Sequence, residues 1–413
     1  MVDKAKKRLF GGIAIFLGFI LGIAMLEIAA IAYVVVKEGR YLSAQELFHR
    51  DQNLFIEQVS TAKSSCRYID SLFPHPYLGF VHHGNPPCGI PHINNIGLFG
   101  ENFPVQKRDD RFVVLLTGGS VAAQLGQILG PDKPRYLEEA LNAQYVSPNG
   151  KPFLVLNGGD GAWKQPQQAI LFLMHAAVVD AVVTLDGFNE HYMMMSGLRF
   201  EYPASNFMIA NPMANYNFGQ VVGAWLVGKV AGAVRRNVLL GRSHAAYYLV
   251  RAADRFVKSR ELLGDSRRTT MQSLFALPSG WSDEKRFAWQ MEQYQSYILA
   301  MDNVANDRGV LAVHFIQPVP AIGKSLTDKE RAVAGKLDYR NVYSRMVKGL
   351  LTLRKRSVSV FDLGDIYADE PETLYADPIH LRIEPDGESK GYRLMARRMA
   401  ENLAATWNLK RKE

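Results

Sequence analysis

The stretch whose reading decides the fold is Phe112-Val113-Val114-Leu115-Leu116-Thr117-Gly118-Gly119-Ser120, followed by Val121-Ala122-Ala123. Its apolar, partly β-branched run predicts a buried strand. Two glycines end that strand, a serine stands on the turn, and Val121 opens a helical pattern. A serine at the carboxyl tip of a strand, above a helix start, is placed for nucleophilic work. Glycine lets the backbone turn sharply and lets a substrate approach. The unpaired N–H groups of a first helical turn are free to hold an oxyanion. A Gly-Gly-Ser turn alone is more often only a turn, so its surroundings decide.

Outward from Ser120, residues 153–157, 180–185, 309–317 and 358–362 predict four further strands. Helical patterns cover 120–145, 165–177, 283–308, 328–356 and 391–407. This alternation implies an α/β fold, a parallel sheet with helices on both faces. Ligands of such sheets bind beyond the carboxyl ends of the strands. Ser120, Gly161 and Asn189 each fall just past such an end. Near the C-terminus, Tyr375-Ala376-Asp377-Pro378-Ile379-His380-Leu381 sets an aspartate and a histidine three apart, on a loop before the last helix. His380 would act as general base toward Ser120. Asp377 would fix its tautomer and stabilise the imidazolium.

Taken in order, these residues resemble the SGNH (GDSL-like) hydrolase superfamily. The matching blocks are Gly118-Gly119-Ser120, Gly159-Asp160-Gly161, Gly187-Phe188-Asn189-Glu190 and Asp377-Pro378-Ile379-His380. The resemblance covers about residues 111–402. It implies a flavodoxin-like three-layer parallel sheet, with Ser120 as nucleophile, His380 as base and Asp377 as orienter. It also implies an oxyanion hole built from the Ser120 amide, a second-block amide and the Asn189 side chain. The second-block donor is read as Gly161, with Ala162 as the alternative. Gly119 stands where the pattern has aspartate, and Glu190 replaces a final aspartate with no direct chemistry. Upstream, Tyr77-Leu78-Gly79-Phe80 and Asn94-Asn95-Ile96-Gly97-Leu98-Phe99-Gly100 resemble the lead-in of bacterial membrane-anchored members. The implied chemistry takes no cofactor and no metal.

Residues 9–36 are apolar almost throughout, with Glu27 the one acidic residue, and exceed the length needed to cross a bilayer. Lys4, Lys6, Lys7 and Arg8 precede them, so residues 1–8 are expected in the cytoplasm and the rest outside the inner membrane. A cleaved signal peptide is the competing reading, with Ala30-Ile31-Ala32 as the site. The apolar run continues past that point, which favours an uncleaved anchor. Glu27 would pair with another helix or, more simply, be hydrated near the interface.

Residues 37–110 read as linker and lead-in, with a helix over 39–63. Cys66 and Cys88 are the only cysteines, and an oxidising compartment makes a bridge between them expected. His75, His82, His83 and His92 lie nearby in no zinc spacing and read as polar surface. The hydrolase-like domain spans 111–407, interrupted by a helical insertion at 193–282. The plain reading of the insertion is a cap over the strand ends, with Met193, Met194 and Met195 packed beneath it. The sharper one is a membrane-surface or partner-binding element, because residues 221–234 are apolar beside Arg235 and Arg236.

Among 413 residues, 48% are hydrophobic and 21% charged, as in ordinary globular proteins. The net charge of +8 is spread along the chain without any nucleic-acid motif, which argues against a nucleic-acid partner. The expected protein is therefore a membrane-anchored, periplasmic serine esterase acting on an acylated glycan or small ester. Water or a sugar hydroxyl would accept the acyl group, within reach of envelope polysaccharide machinery. The other reading is a silent glycan-binding or secretion-complex component, which would have no need of the Ser–Asn–Asp–His set.

Overall fold

Val113 to Leu116 are fully buried, and so are their neighbours along the strand. A strand covered on both faces reads as a continuous apolar run rather than an alternation. In this computed structural model, residues 2–50, 71–83, 93–127, 130, 132–203, 230, 232–261 and 272–412 are described. The elements are α1 (Val2–Glu38), α2 (Ala44–Arg50), β1 (Leu72–His75), β2 (Gly79–His82), β3 (Phe112–Gly118), α3 (Ser120–Gly126), α4 (Tyr136–Gln144), β4 (Tyr145–Val146), β5 (Phe153–Gly159) and α5 (Gln167–His175). They continue as β6 (Ala181–Asp186), α6 (Phe188–Ser196), α7 (His244–Glu261), α8 (Asp283–Arg308), β7 (Leu311–Ile316), α9 (Asp328–Val333), α10 (Arg340–Leu351), β8 (Val360–Asp362), α11 (Lys390–Trp407) and β9 (Lys410–Arg411).

The chain divides into two units, one of residues 1–57 and 212–269, the other of 58–211 and 270–413. The larger unit holds a five-stranded sheet in the order β5-β3-β6-β7-β8, every pairing parallel. Ranked along the chain this is 2-1-3-4-5, the doubly wound flavodoxin-like order. Phe112, Val114 and Leu116 of β3 face Val121 of α3, Leu137 of α4 and Met395 and Leu403 of α11. On the opposite face, α6, α8 and α10 place Met193, Met194, Tyr294, Ile298 and Met346 against Ile316 and Val360. Met195 is exposed. The α/β expectation holds.

Two expected helices are broken. The pattern over 120–145 stops where Gln127 adopts a φ of 113°, and Gly130, Pro131 and Pro134 precede α4. Proline has no N–H to continue a helix. The pattern over 328–356 becomes α9, α10 and a 3₁₀ turn at Thr352–Arg356. Gly335, at a φ of 66°, lies in the break. α9 begins in a capping box in which Thr327 Oγ1 accepts from Glu330 N at 3.2 Å and Glu330 Oε2 from Thr327 N at 2.8 Å.

In the smaller unit, α1 is long and apolar enough over Phe16–Glu38 to cross a membrane. Val34, Leu42, Leu47 and Tyr247 form a small core between α1, α2 and α7. Glu27 has partners within the chain. Its carboxylate accepts from Ser243 Oγ at 2.6 Å, His244 N at 2.7 Å and Ala245 N at 3.0 Å. The simpler hydration reading is thus replaced by a pairing with the N-terminus of α7. The insertion leaves and rejoins the larger unit through backbone pairing. Arg199 N donates to Phe275 O at 2.8 Å and Leu277 N to Gly197 O at 2.9 Å. Within the insertion Arg235 and Arg236 end a helical run, a 3₁₀ turn follows at Leu240–Arg242, and α7 begins at His244. Cys66, Cys88, His92 and the end of the helix expected over 39–63 lie outside the described residues.

Candidate active site

Ser120 is the first residue of α3, directly beyond β3. Its Oγ lies 2.7 Å from His380 Nε2. His380 Nδ1 lies 2.7 Å from Asp377 Oδ2. The loop that carries them is closed by a Tyr375–Leu381 bridge and by Ala376 N donating to His380 O at 2.9 Å. Asp377 Oδ1 accepts from the backbone amides of Ile379 and His380, both at 2.7 Å. Burial alone would raise the Asp377 pKa. The His380 ring and those two amides outweigh burial and hold the carboxyl below its usual range. An ionised Asp377 accepts a hydrogen bond from Nδ1–H, which leaves Nε2 as the acceptor for Ser120 Oγ–H. Three groups up to 260 positions apart along the chain are thus joined in one hydrogen-bonded relay.

Asn189 follows Gly187, whose φ of 125° turns the chain from β6 into α6. Its Nδ2 donates to Trp163 O at 2.7 Å. A Cβ at residue 119 would meet that nitrogen at 2.5 Å and Trp163 O at 3.2 Å. The glycine that departs from the expected aspartate is therefore what allows Asn189 to reach the Ser120 turn. Gly161 N donates to Asp160 Oδ1 at 2.6 Å, and Ala162 next to it has a φ of 62°.

Two sets of supporting residues were not anticipated. His82, expected at the surface, is buried. Its Nδ1 lies 2.6 Å from Ser71 Oγ and its Nε2 3.0 Å from Asp160 Oδ2. The lead-in hairpin is thereby tied to the turn after β5, and Gln167 Nε2 donating to Leu78 O at 2.7 Å adds a second tie. Glu190, expected to have no direct chemistry, is fully buried as a brace. It accepts from Gly187 N at 2.8 Å, Gln165 N at 3.1 Å and Gln168 Nε2 at 3.3 Å. It thus fixes the Asn189 turn to the segment that supplies Trp163 O. Among the described residues, no cluster of three or more His, Cys, Asp or Glu could hold a metal ion.

Beneath Glu190, Asp186 Oδ1 accepts from Tyr294 O–H at 2.6 Å. Burial, and then the Glu190 charge, push the Asp186 pKa well above its ordinary value. Burial also lowers the nearby Lys164 ammonium to about 8. An acid whose folded pKa is raised costs stability as pH climbs above its unfolded pKa of about 4, through the folded value. Asp186→Asn keeps an oxygen acceptor for Tyr294 and removes that cost. The variant is expected to melt above the wild type at pH 8 and to converge with it toward pH 4. The gap should grow by no more than about 1.4 kcal/mol per pH unit. Thermal melts across that range check it, and a gap that does not change with pH refutes it.

No protein-family model matches this chain, and no curated protein matches it. Solved structures do. A Bacteroides fragilis NCTC 9343 protein assigned as an acylhydrolase is 10% identical, with a TM-score of 0.34, over 74% of this chain and 92% of that one. A GDSL-like lipase from Bacteroides thetaiotaomicron VPI-5482 is 10% identical, with a TM-score of 0.32, over 72% and 92%. An acetyl xylan esterase is 11% identical, with a TM-score of 0.33, over 71% and 98%.

Proposed function

We propose that the chain is a serine esterase working through an acyl-enzyme. The observation that carries this is the unbroken Ser120–His380–Asp377 relay. Ser120 Oγ attacks an ester carbonyl carbon while its proton passes to His380 Nε2. The oxyanion is met by the Ser120 and Asn189 N–H groups. Gly161 N–H stands third and must exchange Asp160 for the oxyanion. The tetrahedral species collapses, and the leaving alcohol takes the proton from Nε2. Water or a sugar hydroxyl then attacks the acyl-Ser120 ester and returns a proton by the same route. In this reading the acid Asp377 stays ionised throughout.

The setting we propose is extracytoplasmic, with α1 in the inner membrane and the larger unit in the periplasm. Four basic residues before the apolar stretch support that orientation. Acyl groups on envelope or exported glycans are the substrate class this setting offers. The test is a fluorophosphonate probe, which phosphonylates a serine only where a base and an oxyanion hole activate it. Wild-type protein is expected to be labelled at Ser120, and His380→Ala is expected to lose the label. An unlabelled wild type would refute the esterase and leave a binding role.

A further inference from the structure

We propose that the insertion makes a second contact with the membrane. Val238, Leu239 and Leu240, flanked by Arg235, Arg236 and Arg242, would sit in the headgroup boundary of an anionic bilayer. Glu27 would clasp them to the point where α1 leaves the membrane. The proposal rests on the reading of α1 as a membrane anchor and refines where that anchor ends.

α1 has two parts. From Phe16 to Leu26 every side chain is exposed. From Glu27 onward, residues 27, 30, 31, 34 and 38 are partly or wholly covered. Their spacing of three and four defines one helical face. α2 and α7 cover that face, through the Val34–Leu47–Tyr247 core and an edge-on Tyr33–Tyr248 contact with centroids 5.3 Å apart. A helix sheathed by its own protein on one side and bare before that point has a built-in boundary. Residues 9–26 rise about 27 Å at 1.5 Å per residue, the hydrocarbon thickness of a thinner bilayer. Lys4, Lys6, Lys7 and Arg8 bound the other end. The boundary therefore falls at Glu27, the residue whose carboxylate is saturated by Ser243, His244 and Ala245.

Immediately before those donors the chain exposes Val238 at 70%, Leu239 at 81% and Leu240 at 47%. The turn that presents them is fixed. Asn237 Oδ1 accepts from Leu239 N and Leu240 N, each at 3.0 Å, and Gly241 N donates to Asn237 O at 2.9 Å. Three adjacent apolar side chains held out at the level where an apolar span ends match the acyl region of a bilayer. Arg236 and Arg242, both exposed, match anionic headgroups. The occupant is thus a lipid surface, on grounds of continuity with the bare part of α1 and of charge.

The test uses the full-length protein in nanodiscs of phosphatidylcholine, with or without phosphatidylglycerol, doped with a lipid carrying a diazirine in its acyl chain. After irradiation, adducts are mapped by mass spectrometry. Adducts are expected within 9–26 and at 238–240, with the latter enriched by phosphatidylglycerol. Leu239→Asp is expected to lose the adducts at 238–240 and keep those of α1. Exchanging Arg235, Arg236 and Arg242 for Gln is expected to remove the phosphatidylglycerol enrichment alone. Adducts within 9–26 with none at 238–240 in the wild type overturn the inference and leave the anchor standing. A protein captured at 238–240 in place of lipid does the same. Absence of adducts from α1, with the protein lost from the discs, overturns the anchor reading itself.

Discussion

Ser120→Ala is expected to lower turnover of a short-chain acyl ester by about 10⁴–10⁶ while leaving the fold intact. The removed oxygen takes part in one interaction, at 2.7 Å from His380 Nε2. Losing one such bond costs about 1 kcal/mol of stability, because α3 and the sheet around Ser120 are held by Val121, Leu125 and their partners. Steady-state kinetics with a parallel thermal melt check both halves. A variant that retains wild-type turnover with an unchanged melting temperature would remove Ser120 from the chemistry.

Asp377→Asn is expected to cost about 10⁴ in kcat, by a different route. The carboxylate does two tasks with its two oxygens. Oδ1 holds the amides of Ile379 and His380, while Oδ2 faces His380 Nδ1. Asparagine satisfies the first task by turning its oxygen to the amides. Its NH₂ then faces Nδ1, and the ring responds by carrying its proton on Nε2. A ring in that tautomer cannot accept from Ser120. The loop keeps its shape and the base is lost, so kcat should fall with KM close to unchanged. Asp377→Ala removes the loop's backbone bonds as well and should also lower the melting temperature. If Asp377→Asn retains more than about a tenth of wild-type kcat, the tautomer argument fails.

What was legible in the sequence was whatever local pattern controls. β3, β5 and β6 read correctly because they are buried on both faces and carry largely apolar runs. Ser120, Asn189, Asp377 and His380 stand out as candidate positions because each lies on a turn beyond a strand end or on the loop ahead of the last helix. Helix breaks at Gln127 and near Gly335 were missed although glycines and prolines marked them, because a helical pattern resumes after each. His82 and Glu190 were missed for another reason. A histidine in a loop looks the same in sequence whether it is solvated or wedged 3.0 Å from a buried Asp160, 78 positions away. Glu190 was measured against the pattern's aspartate for its chemistry. Its work is to accept from Gln165, on the loop before α5, and from Gln168, in the first turn of that helix. The partner of Glu27 was out of reach of any periodicity, since it lies in the insertion.

That last distance has a biosynthetic consequence. His244 follows Glu27 by 217 residues. At about 5–20 residues per second, a ribosome takes on the order of 10–40 s to make the intervening stretch. For that interval the Glu27 carboxylate lacks its Ser243, His244 and Ala245 donors, and α2 has no Tyr247 to pack against. The smaller unit closes only after three strands of the sheet, β3, β5 and β6, have been made. Assembly of the smaller unit therefore trails translation of β6, and a nascent chain stalled between them would carry the Glu27 carboxylate without its donors at 243–245.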